Sequence, residues 1–170
     1  EENEKRAESQ PAVNMSFWNF AHVKTITDAK IHKIVIFAEM KRKDIPAPMA
    51  ETTVLRHTCC APCSSAIIEA MMKNGITPVI YYCNPNIYPQ EEYEIRKNEC
   101  TRYAQSLGLE IVDADYDHDN WLEAIRGMED EPERGGRCLK CFKLRLLRAA
   151  EYAAGRGIKV ITTTLASSRW

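Results

Sequence analysis

From Thr52 onward, apolar residues fall into short runs and helical stripes that alternate along the chain. Thr53–Thr58 predicts a strand, with the charge of Arg56 set awkwardly on a core position. Ser64–Lys73 places Ile67, Ile68, Met71 and Met72 at helical spacing, which predicts a helix with the Met71-Met72 pair in the core. Asn74-Gly75 supplies its stop. Pro78–Cys83 reads as a buried strand, Gln90–Leu107 as a long helix closed by Gly108, and Leu109–Ala114 as another strand. A short helix is expected over Asn120–Met128, and a longer one over Cys138–Ala154, ended by Gly155 and Gly157. Ile158–Thr164 reads as the last strand. Strands separated by helices imply an α/β fold, a parallel sheet with right-handed crossovers and flanking helices. Ligands of such sheets bind outside the carboxyl ends of the strands.

The first part of the chain follows no such rhythm. Residues 1–14 are polar and aperiodic and read as a disordered arm. Ile34–Ala38 is an apolar run that suits a strand or one helix face, and Lys41–Pro48, with two prolines and three cations, reads as a linker. The expected division is an N-terminal extension, 1–40, and one domain, 41–170. Of the 170 residues 45% are hydrophobic, enough for a core, which excludes a wholly disordered chain. No run approaches the roughly 18 apolar residues of a membrane span, and no signal-peptide pattern opens the sequence, so a soluble cytoplasmic protein is expected. The net charge of −1 hides an asymmetry. Residues 110–133 hold ten acidic groups against one basic, and residues 134–170 hold nine basic against one acidic.

Chemistry enters with seven cysteines: Cys59, Cys60, Cys63, Cys83, Cys100, Cys138 and Cys141. An odd, clustered set without a secretion signal points to metal or redox chemistry rather than a disulfide framework. Cys59, Cys60 and Cys63 follow the first domain strand and open its helix, and Cys138 and Cys141 sit at the start of another. In each C-x-x-C pair both sulfurs face one side, and the helix N-terminus favours thiolates. Adjacent residues on extended backbone point to opposite sides, so Cys59 and Cys60 are not expected to share a mononuclear site. Five thiols exceed the four that one zinc ion takes and suit an iron–sulfur cluster with another thiol or metal beside it. A zinc-stapled nucleotide- or RNA-binding module without catalysis, and a thiol–disulfide oxidoreductase using Cys60 and Cys63, stay open on the same residues. Cys83 and Cys100 read as core thiols, Glu92, Glu94 and Glu99 as a solvated face, and His22, His32 and His118 join no constellation.

Several separated motifs resemble one family. His57-Thr58-Cys59-Cys60-Ala61-Pro62-Cys63, Tyr82–Pro89 (YCNPNIYP), Glu92-Tyr93 with Arg96, and Arg137-Cys138-Leu139-Lys140-Cys141 with Arg145-Leu146 resemble the cobalamin-independent epoxyqueuosine reductases, QueH, over about residues 41–170. The resemblance implies a Rossmann-like fold of the HUP type and a [4Fe-4S] cluster with an additional iron ion close by. It implies reduction of epoxyqueuosine at the wobble position of transfer RNA, the last step of queuosine biosynthesis. It also implies further helices and a late cysteine-bearing segment after Trp170. Arg56 departs from the family, which usually has an aliphatic residue there.

Removing an epoxide oxygen takes two electrons, whereas a single cluster delivers them one at a time. A second iron acting as a Lewis acid on that oxygen would fit the task. Cys138, Cys141 and one or more of Cys59, Cys60 and Cys63 are the expected cluster ligands, with the remaining thiols at the second metal. Cys59, Cys60 and Cys63 are also the expected catalytic residues. Without a flavin or nicotinamide motif, an external electron donor is required. Arg137, Lys140, Lys143, Arg145 and Arg148 are expected to meet transfer RNA phosphates, and Tyr88 and Tyr93 to stack on an unpaired base. Asn84, Asn86 and Arg96 complete the expected substrate side.

Overall fold

The computed structural model describes residues 33–36 and 53–165. In chain order the elements are β1 (Lys33–Ile36), β2 (Thr53–Thr58), α1 (Ala61–Lys73), β3 (Thr77–Tyr82), α2 (Gln90–Ser106), β4 (Ile111–Asp113), α3 (His118–Ile125), α4 (Gly136–Gly155) and β5 (Val160–Thr163). The strands form one parallel sheet in the order β1-β5-β2-β3-β4. From β2 the chain steps outward to β3 and β4, then returns through α4 to lay β5 on the other side of β2. Strand order therefore reverses between β2 and β5, which opens a crevice at their carboxyl ends. The disordered-arm and linker expectations fall outside the described residues. β1 forms in the predicted extension and pairs in parallel with β5, Lys33 opposite Val160.

The strand pleat sorts residues between two layers. Val54, Ile80 and Val160 face α1 and α2, packing with Met71, Ile68 and Ala104. Leu55, Val79, Tyr81, Cys83 and Ile161 face α4, whose Ala149, Ala150 and Ala153 let the helix approach closely. Met71 is buried but its neighbour Met72 is 38% exposed, so the pair does not enter the core together. The reason is the 100° turn between successive helical residues, which leaves room in the core stripe for only one of them.

Helix ends depart from the periodic pattern where local chemistry carries the helix further. α1 begins at Ala61 rather than Ser64, because Pro62 suits a first helical turn that lacks intrahelical N–H partners. α4 begins at Gly136 rather than Cys138, where the Glu131 carboxylate accepts a hydrogen bond from the Gly136 N–H at 2.8 Å. Part of the acidic segment thus caps the basic helix. Gly75, at φ +72°, provides the left-handed residue that ends α1.

Candidate metal centre

β2 ends at Thr58, and the chain bends through Cys59 into Cys60, the N-cap of α1. The sulfurs of Cys59, Cys60 and Cys63 all lie within 4.8 Å of one another. The Cys59 and Cys60 sulfurs are 3.8 Å apart, which overturns the expectation that they point to opposite sides. Alternation holds within a strand, and Cys59 lies beyond the last paired residue, so the bend turns its side chain toward Cys60. Cys59 Sγ also lies 3.6 Å from Thr164 Oγ1, just past β5, which puts the thiols at the crevice where strand order reverses. Cys59 and Cys60 are half-buried and Cys63 is exposed.

Desolvation, with the neighbouring Cys60 and Cys59 thiols, pushes the Cys63 thiol up to about 12. At Cys63 the helix N-terminus does not win. A cation is what would hold several sulfurs together as thiolates, and three converging soft donors fit a thiophilic metal.

The pair on α4 behaves differently. Cys138 is half-buried and its sulfur accepts from the Arg134 N–H at 3.3 Å, whereas Cys141 is buried. Neither belongs to the three-sulfur group. Cys83 is fully buried on the α4 face, and burial raises its thiol. Cys100 is buried beside Tyr82 and Tyr93, and desolvation raises it to about 12. Both are the core thiols expected.

A polar layer braces the crevice from below. His57 Nε2 lies 3.1 Å from the Cys83 carbonyl, which can only accept, so Nε2 carries the proton. Nδ1 then accepts from the Thr163 hydroxyl at 3.0 Å, and Thr163 Oγ1 accepts in turn from the Leu165 N–H at 3.2 Å. Burial, and then the Arg145 cation, push His57 down to about 3, which keeps the ring neutral. Arg145, only 4% exposed, donates from Nε to the same Cys83 carbonyl at 3.0 Å and from Nη2 to Asn84 Oδ1. Asn84 Nδ2 donates to the Thr58 carbonyl at 3.0 Å, locking the ends of β2 and β3 together. Asn84 and Arg145 are thus parts of the frame, and a C-terminal cation count gives no sign of that.

The remaining expected substrate residues divide by exposure. Tyr93 is fully buried and its hydroxyl donates to Asp113. Tyr88 is 75% exposed. Asn86 is half-buried, and Arg96 is exposed and paired with Glu92 at 2.6 Å. Arg137 donates to the Glu129 carbonyl at 2.8 Å, Arg148 is half-buried with Nη2 on the Ala114 carbonyl, and Lys143 is exposed.

An aromatic ladder beside the site had no signal in single motifs. Tyr88 stacks on His118 with ring centroids 5.4 Å apart, and His118 stacks on Trp121 at 5.4 Å. Tyr116 also stacks on His118, at 5.6 Å and 10° between planes. His118 Nδ1 donates to the Pro85 carbonyl at 2.7 Å, which ties the ladder to the loop that leaves β3. Tyr88 joins three rings from the 116–121 stretch, so only the folded chain completes it.

Among the described residues, no helix is long and apolar enough to cross a membrane. A sequence model of the family described as "Epoxyqueuosine reductase QueH" matches residues 54–170, which include every candidate site residue. The chain is 48% identical over 129 residues to the epoxyqueuosine reductase QueH of Histophilus somni, covering 76% of this chain and 53% of that protein. The Haemophilus influenzae protein of the same name matches with the same identity and coverage. That of Acinetobacter baylyi is 49% identical over 117 residues, 69% of this chain and 54% of its own length. The chain spans about half the length of these curated relatives.

Proposed function

The chain belongs to the epoxyqueuosine reductase QueH family, and from there we propose that it serves the reduction of epoxyqueuosine to queuosine at the wobble position of transfer RNA. The observation that carries this reading is the convergence of Cys59, Cys60 and Cys63 at the crevice between β2 and β5. The reaction takes two electrons and two protons, breaks both C–O bonds of the epoxide, forms the alkene and releases water. The proposed centre is a [4Fe-4S] cluster on Cys138, Cys141 and one or more of Cys59, Cys60 and Cys63, with an additional iron ion on the remaining thiols. When bound, it would supply single electrons and a Lewis-acidic position for the epoxide oxygen. The outward-and-back strand order around β2 supports the Rossmann-like, HUP-type assignment for residues 41–170.

The protein's own residues do the holding. The neutral His57, the buried Arg145 and Asn84 fix the loop ends on which the thiols stand. Tyr88, held from behind by His118, presents its outer face to an unpaired anticodon base. Lys143, Arg137, Arg148, Arg96 and Asn86 remain the side chains for backbone contacts. Arg145 and Tyr93 act from inside the fold, since neither is exposed enough to meet RNA. An external donor supplies the electrons, and a transfer RNA substrate is in keeping with a cytoplasmic protein.

The test is turnover. Anaerobically reconstituted protein with dithionite should convert transfer RNA carrying epoxyqueuosine to the queuosine form, read by nucleoside mass spectrometry. Colourless protein that holds zinc, binds transfer RNA and leaves the epoxide intact would support the binding-module reading instead.

A further inference from the structure

We propose that Arg56 is the buried counter-charge of the thiol centre, a positioning residue that lets Cys59 and its neighbours hold more negative charge than the fold alone would tolerate. The inference rests on the reading of the thiols as a metal centre.

Arg56 lies in the middle of β2 and is 0% exposed. Its pleat position places it between Val54 and Thr58, on the layer facing α1 and α2. It donates a hydrogen bond from Nη1 to Thr162 Oγ1 at 3.4 Å, across the β2–β5 pair that forms the crevice. Nε and Nη2 are buried and have no hydrogen-bond partner among the described residues. Among the described residues no carboxylate pairs with it.

A buried cation without an anion is costly, and a fold retains one where an opposite charge stands nearby. Cys59 stands three residues along the chain, its sulfur 3.6 Å from Thr164 Oγ1, two residues on from the Thr162 that Arg56 bonds. Burial lowers Arg56 to about 10. Arg56 is thus still a cation at neutral pH. Arg145 repeats the arrangement on the opposite layer: it is buried, bonded to a carbonyl and an amide oxygen, and has no carboxylate partner among the described residues. One buried guanidinium therefore stands on each face of the sheet, Arg56 bonded across the β2–β5 pair and Arg145 bonded to the chain leaving β3. The group of thiols at the ends of these strands is Cys59, Cys60 and Cys63, and a multi-thiolate metal centre is an anion. With metal bound Arg56 has its counter-ion, and without metal it is an isolated buried charge.

The experiment compares the parent with R56M and R56K in anaerobically prepared holoprotein. R56M should lower the midpoint potential of the centre, because the reduced, more negative form loses its counter-charge. It should also speed metal loss to a chelator by about tenfold, the scale of one partly buried charge interaction several ångströms away. The metal-free R56M protein should melt above the metal-free parent. R56K, which keeps the charge, should stay near the parent in potential. If R56M does not fold, R56Q against R56K makes the same comparison. An unchanged potential with unchanged metal release would overturn the proposal. So would an equal loss of stability with and without metal, which is the signature of packing alone. A parent that carries only zinc would defeat the reductase reading, while the zinc release rates of the same variants would still decide the role of Arg56.

Discussion

The chain spells C-x-x-C twice, and the fold treats the two copies differently. Cys60 and Cys63 open α1 at the point where strand order reverses, and Cys59 joins them from the end of β2. Cys138 and Cys141 stand on the first turns of α4, one half-buried and one buried, outside that group. Spacing sets which way two sulfurs face on their own helix. Topology decides what they face. The first pair gains a third thiol and a half-exposed setting in the crevice. The second gains a helix that packs along one face of the sheet and carries the Arg145 brace.

Each half of this comparison can be broken on its own. Replacing Cys60 and Cys63 together with Ala should remove nearly all bound metal, measured by elemental analysis, since two of three converging donors are gone. Metal retained at the parent level would show that the crevice is not the centre. Replacing Cys138 and Cys141 with Ala should abolish acid-labile sulfide yet leave some metal on the crevice thiols. Equal total loss in both double variants would make the two pairs one indivisible site. Undiminished sulfide in the second variant would remove α4 from the ligand set.

Much of this could be read before folding, because the strands and helices carry clear periods and Gly75 closes α1 as its position suggests. What could not be read came from the meeting of distant segments. The convergence of Cys59 and Cys60 depends on the bend between the end of β2 and the start of α1, which neither the strand period nor the helix period describes. Arg145 looks like any surface cation of a basic helix, but the register of α4 on the sheet turns it inward. His118 acquires its role from rings on either side of it in space. Arg56 is the opposite case. Its position predicted a charge in the core, and the charge is there.

The surfaces beside each pair extend the contrast with smaller effects. Near the crevice, Tyr88→Ala should weaken binding of an anticodon stem-loop by about 1–3 kcal/mol, the range of one base–aromatic stack. Tyr88→Phe should not, because stacking needs the ring rather than the hydroxyl. Equal affinity for Tyr88→Ala and the parent would leave the ladder without a part in RNA binding. On α4, exposed Lys140 and Lys143 changed to Glu should weaken all transfer RNAs alike. The dependence of log affinity on log salt should flatten by about one for each phosphate no longer neutralised. Metal content should not change, since neither side chain is a ligand. An unaltered salt slope would make this face a solvated surface and no more.

Whether both cysteine pairs serve one centre is decided by Mössbauer spectroscopy of anaerobic protein loaded with isotopically enriched iron. Two components should coexist in one sample, a cubane cluster signal and a separate signal from a single iron, and the cluster signal should vanish when Cys138 and Cys141 are replaced. A spectrum of one thiolate-bound iron alone, unchanged in that variant, would contradict the assignment of both pairs to a shared centre.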